Sequence, residues 1–248
     1  MKFKTLEEKC LYYRNLADYK LVPGLYTIIM LDGRSFSKKV KNKFQKPFDD
    51  FFVSAMNDTT AYLCTQIQGC RIGYVQSDEI SLLIRDWLDT GESGSSFFEY
   101  RLCKLNSICA SMATSKFNRI MWENGYNDLY EFDCKAWSVP DENTAYAWFL
   151  YRQNECGRNA RQQVAQTWLK HKDLQGLKAE EQIQKLKEQE GIDFYNFDLG
   201  LQQGRFCYKI EVEKSDPKYG TYMRSVWPLF NDLDLKTDEG KLRFLEKL

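Results

Sequence analysis

After an N-terminal amphipathic segment, hydrophobic residues in the first 140 positions alternate between strand-like runs and helical spacing. The clearest helical pattern lies at 97–118, where apolar residues follow one another at steps of three and four. The predicted elements are a helix at 5–20, a strand at 25–31, a helix from Pro47 to Gly69, a hairpin at 71–85, the helix at 97–118 and a strand at 130–137. After the first helix, this order predicts a β-α-β-β-α-β arrangement.

The pattern becomes charged and mainly helical after Pro140. The elements predicted there are helices at 145–154, 159–170 and 178–190, a strand at 204–212, a tail from Asp216 that is mostly loop, and a short helix near 238–247. We therefore expect an α+β fold in two parts, 1–140 and 141–248. The strand at 204–212 is a candidate to join the sheet of the first part.

Acidic residues stand where predicted strands end. Asp78 and Glu79 lie between two β-prone runs, at the turn of the predicted hairpin, and Asp32 directly follows the apolar strand at 25–31. Mg²⁺ prefers oxygen ligands and takes few of them from protein, so these acids predict a magnesium site if the fold brings them together. Asp32-Gly33 is also a common hairpin turn. A simple two-residue hairpin fits poorly, because the polar and basic stretch that follows does not alternate.

Composition limits the classes of function. The hydrophobic content of 43% and the charged content of 28% are ordinary for a soluble globular protein, and the formal net charge is zero. Nucleic acid would therefore have to bind a local basic patch. The aromatic content of 15% could serve base stacking, although core packing is the more common use. No apolar run approaches the roughly 20 residues of a membrane helix, so we expect no membrane contact.

The cysteines and the single histidine exclude several kinds of site. None of the eight cysteines forms a C-x-x-C pair, and His171 is the only histidine, which argues against a zinc ribbon or finger. One histidine also weakens schemes with a histidine general base and favours metal-ion chemistry. We expect no signal peptide, and free thiols in a reducing cytoplasm.

Two groups of basic residues are candidate binding surfaces. The first follows Asp32 and is either a solvated face or a site for triphosphate oxygens. Its members are Lys38, Lys39, Lys41, Lys43 and Lys46. The second makes the helical half locally basic and could face an RNA backbone. Its members are Arg152, Arg158, Arg161, Lys170 and Lys172.

Several motifs together resemble a known family. Residues 31–36 read Leu-Asp-Gly-Arg-Ser-Phe, residues 44–49 read Phe-Gln-Lys-Pro-Phe-Asp, and residues 74–79 read Tyr-Val-Gln-Ser-Asp-Glu. The basic pair Arg101 and Lys104 and the strand motif Phe132-Asp133-Cys134-Lys135 follow in the family's order, with Lys135 in place of an arginine. The chain resembles the tRNA-His guanylyltransferase family from about residue 25 to 160. It resembles most closely the guanylyltransferase-like branch, whose members add nucleotides in the 3′-to-5′ direction to the 5′ end of RNA.

One departure from the family pattern bears on the substrate. In the tRNA-His-specific branch, Arg-Gln-x-x-Cys is followed by His-Ile-Asn-Asn, whose histidine belongs to recognition of the tRNA-His anticodon. Here Cys156 is followed by Gly157, and His171 is too far along the chain to replace the histidine. The resemblance therefore implies template-dependent repair of 5′-truncated tRNAs rather than guanylylation of tRNA-His alone.

The resemblance also implies an architecture and partners. Residues 1–140 would form a polymerase-type palm, which is a ferredoxin-like antiparallel sheet with helices on one face. Residues 141–248 would form a mainly helical RNA-binding part. The expected partners are a 5′-truncated tRNA and nucleoside triphosphates including ATP and GTP. The resemblance also implies a homo-oligomer, namely a tetramer.

For the active site, the resemblance implies two Mg²⁺ ions bound by Asp32, the Gly33 carbonyl and Asp78. Glu79 would be a third catalytic acid beside them. The implied nucleotide-binding residues are Arg34, Ser35, Phe36, Lys46, Ser77, Arg101 and Lys104. The implied RNA contacts are Lys135, Arg152, Arg158 and Arg161.

The implied reaction has two stages. ATP first activates the 5′-monophosphate of the RNA and leaves a 5′-adenylylated end. The 3′-hydroxyl of an incoming nucleoside triphosphate then attacks that end, and AMP leaves; a 5′-triphosphate end would not need activation. Three alternatives stay open: addition of a single G at position −1 of tRNA-His, a palm-fold cyclase-like nucleotidyltransferase that needs no RNA, and an RNA-binding module with vestigial acids.

Overall fold

The structure is a computed structural model that describes residues 2–40, 43–87, 96–216, 218 and 220–248. Lys41 of the first basic group lies outside the described residues. The helices are α1 (Leu6–Asn15), α2 (Phe36–Lys39), α3 (Asp50–Gln66), α4 (Leu102–Glu123), α5 (Glu142–Trp168), α6 (His171–Leu174), α7 (Ala179–Glu190), α8 (Leu199–Gln203) and α9 (Asp238–Leu245). None of these helices in the described part of the chain combines the length and the apolarity needed to cross a bilayer.

The strands lie mainly in one central sheet. They are β1 (Tyr26–Gly33), β2 (Cys70–Gln76), β3 (Glu79–Ile84), β4 (Phe132–Val139), β5 (Arg205–Tyr208), β6 (Ile210–Asp216), β7 (Gly220–Val226) and β8 (Leu229–Phe230). Within the described residues, the central sheet has the order β4-β1-β3-β2-β5-β8, and each neighbouring pair is antiparallel. The chain order β1-α3-β2-β3-α4-β4 across this sheet confirms the predicted α+β, ferredoxin-like fold.

Helices cover both faces of the sheet. In β1, Ile29 and Leu31 pack with α3 and α4, whereas Ile28 packs on the other side with α5 and α9. Successive strand residues point to opposite faces, so a strand covered on both sides needs apolar residues at successive positions. The two long helices of the predicted palm, α3 and α4, lie on one face as expected, and the apolar stripe of α5 that includes Ala145 and Phe149 covers the second face.

The helix before the hairpin begins later than its proline suggested. α3 starts at Asp50 rather than at Pro47, because Asp49 is its N-cap. The Asp49 carboxylate accepts hydrogen bonds from the backbone N–H groups of Phe52 and Gln45, each at 2.9 Å. A carboxylate at this position satisfies free N–H groups of the first turn. The preceding segment is therefore a loop held against the start of α3.

The second half differs from the prediction in one long helix. The break expected between 154 and 159 is absent, because α5 continues from Glu142 to Trp168. Gly157 lies inside this helix, where a Cβ atom would be 3.3 Å from the Arg161 guanidinium and 3.7 Å from the carbonyl oxygen of Gln202. The glycine therefore lets the Arg161 side chain and α8 approach the helix closely.

The C-terminal strands also differ from the prediction. The strand expected at 204–212 is divided at Lys209: β5 joins the central sheet beside β2, whereas β6 pairs with β7 in a separate ribbon. The tail after Asp216 is not mostly loop, since it contains β7 and β8. The ribbon is largely exposed, so its strands lack the alternation that marks a half-buried strand. The helix expected near 238–247 is present as α9.

All eight cysteines have free thiols. Four of them, Cys64, Cys70, Cys109 and Cys207, belong to the same core cluster beneath the sheet. Burial strongly raises the pKa of the Cys64 thiol, and hydrogen bonding with Cys207 and Cys70 adds to the rise. These thiols therefore act as small apolar core groups.

Candidate active site

The sheet brings the predicted acids to one end. β1 ends at Gly33, and its register places Asp32 opposite Glu79 on β3. The Gly33 N–H donates a hydrogen bond to the backbone carbonyl of Asp78 at 3.1 Å. Asp78 itself occupies the turn between β2 and β3, after Ser77, which has a positive φ of 43°. The central strand and the hairpin turn thus meet at one edge of the sheet.

Burial and a neighbouring carboxylate disfavour the ionisation of each of the two aspartates at this edge. Burial raises the pKa of Asp78 from 3.8 to about 6, and the nearby Asp32 carboxylate adds to the rise. Burial also raises the pKa of Asp32, and the charge of Asp133 on β4 adds to that rise, whereas Arg152 and Lys135 oppose it. A cation bound between two such carboxylates would relieve their repulsion and desolvation.

The donor set fits a hard divalent ion that also takes ligands from a substrate. In the described part of the chain, no three His, Cys, Asp or Glu side chains group closely enough to hold a metal by themselves. Mg²⁺ does not need such a cage, because it usually binds one or two carboxylates together with water and substrate phosphates. Asp32 and Asp78 supply two carboxylates, and a backbone carbonyl at Gly33 would be a third oxygen donor.

Glu79 is engaged differently from the two aspartates. Its carboxylate forms an ion pair with Arg152 of α5 and accepts a hydrogen bond from the Gln76 amide at 2.7 Å. Arg152 is only 7% exposed, and burial lowers its pKa. Arg152, predicted to contact RNA, is therefore directed at the acidic end of the sheet. Through its charge it also favours ionisation of Asp32.

A cavity of about 460 Å³ opens beside the hairpin turn. Its wall is formed by the segment after β1, the loop before α3, the hairpin turn, the middle of α5, and the region from α8 to the start of β5. Of the predicted site residues, those that line it are Gly33, Ser35, Phe36, Lys46, Ser77, Asp78 and Glu79. Cavities of this size hold small-molecule ligands.

The predicted nucleotide contacts near the cavity differ in character. Ser35 is exposed and has a left-handed backbone conformation with a φ of 58°, and Ser77 donates a hydrogen bond to the Asp78 carboxylate at 3.0 Å. Lys46 is exposed on the loop before α3. Phe36 is 2% exposed and packs in an aromatic cluster of the core, so its side chain supports the site from beneath.

Three other predicted residues do not line the cavity. Arg101 pairs with Asp18 at 2.9 Å, at the start of α4, and Lys104 is exposed one turn further on. The residue of α4 that packs beside Phe36 is Phe117. It lies about 20 Å along the helix from Lys104, at 1.5 Å per residue. Arg34 is exposed, and its backbone N–H donates a hydrogen bond to the Glu131 carbonyl at 2.8 Å. Glu131 directly precedes β4, which flanks β1 on the side opposite the hairpin. The structure does not bring these three cations to the acidic pair.

The remaining predicted RNA contacts lie on separate surfaces. Lys135 is exposed on the edge strand β4. Arg158 is exposed and pairs with Glu155 of the same helix. The Arg161 Nε lies 3.1 Å from the Glu180 carboxylate, and its guanidinium stacks over Phe194. Arg161 thus ties α5 to α7.

Among the cavity residues that the sequence did not indicate are two amides and an arginine from the second half of the chain. Asn159 and Gln163 project from consecutive turns of α5, and Gln163 donates a hydrogen bond to the Pro47 carbonyl. Arg205 enters from the first position of β5. Helical spacing could have paired the two amides on one face, but the sequence carries no sign of which face meets the cavity.

We expect Gly33→Ala to reduce the catalytic rate at this site by roughly 100-fold, because a small displacement of a reacting group has effects of that size. A Cβ atom at this position would lie 2.6 Å from the Phe36 ring and 2.8 Å from Asp78 Oδ2. The ring is fixed by the aromatic core, so the carboxylate has to move. Initial rates and melting temperature should be measured together. A rate within about twofold of wild type would show that the position of the Asp78 carboxylate is unimportant.

Comparison with known proteins agrees with these features. A family model described as tRNAHis guanylyltransferase matches residues 8–140. An uncharacterized protein of Acanthamoeba polyphaga mimivirus is 30% identical over 251 residues, which cover 92% of this chain and 84% of that protein.

Solved structures match over nearly the whole chain. A bacterial tRNA(His) guanylyltransferase (Thg1)-like protein in complex with ATP superposes with a TM-score of 0.86 at 28% identity, over 98% of this chain and 99% of that one. A structure of such a bacterial protein in complex with GTP gives a TM-score of 0.80 at 28% identity, over 97% and 98% of the two chains. From the family match over more than half of the chain and the shared fold, we conclude that this chain belongs to the tRNAHis guanylyltransferase family of nucleotidyltransferases.

Proposed function

We propose that this enzyme adds nucleotides in the 3′-to-5′ direction to the 5′ end of tRNA, choosing each nucleotide by pairing with the opposite base. It would thereby repair 5′-truncated tRNAs. The observation that carries the proposal is the meeting of Asp32 and Asp78 at the sheet edge, with Asp78 lining a cavity of about 460 Å³. Such an arrangement suits phosphoryl transfer, in which catalysis is mostly positioning and charge neutralisation.

Two Mg²⁺ ions are proposed at Asp32, the Gly33 carbonyl and Asp78. Bound there, they would neutralise charge on the attacking and leaving oxygens of an in-line displacement. The chain's own part is to keep both aspartates ionised and oriented. Ser77 contributes by its hydrogen bond to the Asp78 carboxylate. Arg152 contributes a positive charge that favours ionisation of Asp32.

Glu79 is proposed as a positioning residue rather than a metal ligand. Its carboxylate is held by Arg152 and Gln76, and its backbone pairs with Asp32. It therefore joins the end of β1, the hairpin and α5 into one unit. This assignment revises the role that the family resemblance implied for Glu79.

The proposed reaction consumes ATP and a second nucleoside triphosphate. A 5′-phosphate oxygen of the RNA attacks the α-phosphorus of ATP, and pyrophosphate leaves. The 3′-hydroxyl of the incoming nucleotide then attacks the 5′-phosphorus of the RNA, the new phosphodiester forms, and AMP leaves. The ATP and GTP complexes of the bacterial relatives support a nucleotide in this cavity.

Gly157 supports the choice of repair over single guanylylation. It stands where the tRNA-His-specific branch has a histidine, and it is buried inside α5 against Arg161. No histidine side chain is available at this point to read an anticodon. Addition of one G at position −1 of tRNA-His remains the second candidate, because the family model that matches is described by that activity.

The wider assignments are proposals of the same kind. Residues 141–248 would hold the tRNA, with exposed Arg158 and Lys135 as candidate contacts.

α1 has no buried residue and exposes Leu6, Tyr13 and other apolar side chains, which supports assembly into a homo-oligomer such as a tetramer. The free thiols support a reducing compartment such as the cytoplasm.

Lys46→Ala should raise the KM for nucleoside triphosphates about tenfold, because an ammonium group near phosphate oxygens contributes about 1.4 kcal/mol or more. Lys46 is exposed on the cavity wall. The matched control is Lys209→Ala, which removes an exposed lysine between β5 and β6. Steady-state kinetics with varied nucleotide would check both variants. Equal KM values for the two would exclude Lys46 from nucleotide binding.

The proposed activity can be assayed with a tRNA that lacks its first nucleotide and carries a 5′-monophosphate. With ATP, Mg²⁺ and a labelled nucleoside triphosphate, the account expects an RNA product one nucleotide longer and release of AMP. Extension of full-length tRNA-His alone would favour the second candidate. Conversion of nucleotide without RNA would favour a cyclase-like activity.

A further inference from the structure

A buried arginine outside the predicted site residues lies in the wall of the main cavity. Arg205 is 7% exposed and occupies the first position of β5. Its Nε donates to the Asn57 side-chain oxygen at 2.6 Å, and its Nη1 donates to the Gly200 carbonyl at 3.0 Å. Among the described residues, no carboxylate oxygen lies within ion-pair distance of its guanidinium.

The one carboxylate that acts on Arg205 through space is already engaged elsewhere among the described residues. Asp198 favours the charged form of Arg205 through space, but its two oxygens accept hydrogen bonds from the Gly200 N–H at 2.8 Å and from the Asn231 amide at 2.9 Å. Burial is the largest influence on Arg205 and lowers its pKa. A buried charge is costly unless it is paired, so this cation is incompletely compensated in the chain alone.

The position of Arg205 relates it to the acids. β5 pairs with β2 so that Arg205 lies opposite Val75, one residue before Gln76 and the hairpin turn. Neighbouring strands are about 4.8 Å apart, so β5, the third strand from β1, is about 14 Å from it. The turn that carries Asp78 lies between β3 and β2, so Arg205 is about 7 Å from it in the direction across the strands. Arg205 and Asp78 line the same cavity.

The free donors of Arg205 match one kind of ligand. A guanidinium has five N–H groups, of which Asn57 and Gly200 take two. The Nη2 atom has no acceptor among the described residues. Its planar fork suits two oxygens of a phosphate, which Lys would bind only as a point charge. A chain of linked phosphates is long enough to reach from the acidic pair to Arg205.

We propose that Arg205 binds the phosphate chain of the nucleoside triphosphate in the main cavity, on the side away from the acidic pair. This inference rests on the proposed function, in which that cavity holds a nucleotide. It adds a nucleotide-binding residue from the C-terminal half to a site otherwise formed mainly by the first half. The competing explanation is purely structural, since Arg205 also joins α3 to the start of α8.

The test is calorimetric titration of three ligands into the full chain in the presence of Mg²⁺: ATP, adenosine as the phosphate-free probe, and a 5′-monophosphorylated tRNA. Arg205→Met should weaken ATP binding by about tenfold or more and should leave adenosine binding unchanged. Arg205→Lys should recover part of the loss. The matched control is Asn57→Ala, which removes a structural partner of Arg205 and keeps its charge; its ATP affinity should stay within about twofold of wild type.

Three results would overturn the inference. They are unchanged ATP affinity in Arg205→Met, an equal loss of adenosine affinity, and a loss confined to 5′-monophosphorylated RNA. If Arg205→Met lowers the melting temperature by more than about 5 °C, Arg205→Gln takes its place, since it removes the charge and keeps a hydrogen-bonding amide. Binding needs no turnover, so lost ATP affinity in a chain that extends no RNA would uphold this inference and refute the proposed function.

Discussion

Asp78→Asn should lower the rate of nucleotide addition by about a thousandfold or more, because it removes a carboxylate proposed to hold the metal ions. It should at the same time make the metal-free protein more stable near neutral pH. Burial and Asp32 raise the pKa of Asp78 to about 6, so its ionised form is disfavoured in the folded state. The neutral amide removes that cost, which corresponds to about 1–3 kcal/mol.

The pH dependence follows from the direction of this shift. A carboxyl group whose folded pKa is raised stabilises the fold when protonated and loses that contribution as pH rises through about 6. The stability advantage of Asp78→Asn should therefore be full above about pH 6, shrink as pH falls, and vanish below the ordinary value of 3.8.

Urea unfolding with a metal chelator, near neutral pH and again near pH 5, measures this difference. The control is Asp58→Asn, because Asp58 is exposed on α3. That variant should keep both activity and stability. Near-normal addition by Asp78→Asn would refute the metal assignment, and an equal or lower stability would refute the buried-carboxylate description of Asp78.

Arg152→Met should destabilise the fold by about 3 kcal/mol, because it leaves the Glu79 carboxylate without its cation in a largely buried place. Glu79→Gln alone should also destabilise, since the Arg152 charge then loses its partner. The double variant Arg152→Met/Glu79→Gln should recover much of the loss, because neither charge remains. A double-mutant cycle by urea unfolding gives the coupling energy directly.

Activity separates positioning from packing in the same set of variants. The double variant should add nucleotides more slowly than the wild type although its stability is largely restored. The reason is that Asp32 has lost the Arg152 charge that favours its ionisation. Additive free energies in the cycle would contradict the ion pair. Full activity in a stable double variant would show that Arg152 has no part in the chemistry.

The order of the core elements could be predicted because β1, the hairpin and α4 are long and strongly patterned. Asp32 and Asp78 were identifiable for the same reason, since each directly follows or interrupts an apolar strand. The ribbon of β6 and β7 was missed, because its exposed strands show no alternation of buried residues. The false break inside α5 arose at Gly157, where tertiary packing rather than helix propensity decides the conformation.

The partners of charged residues could not be predicted. Glu79 and Arg152 meet only because α5 folds back over the sheet, and Arg205 reaches the cavity only because β5 joins the edge of β2. Conversely, Arg101 has the residue type and the motif position of a nucleotide contact but pairs with Asp18. Burial and pairing depend on long-range topology, which sequence spacing does not specify.

Selection of the added nucleotide by the opposite base can be measured separately from the activation step. The substrate is a tRNA that lacks its first nucleotide and carries a 5′-triphosphate, so that no activation by ATP is needed and each nucleoside triphosphate can be supplied alone. Four such tRNAs differ only in the base opposite the missing nucleotide. We expect the added nucleotide to change with that base and to be its Watson–Crick complement in every case. Addition of G regardless of the opposite base would contradict it.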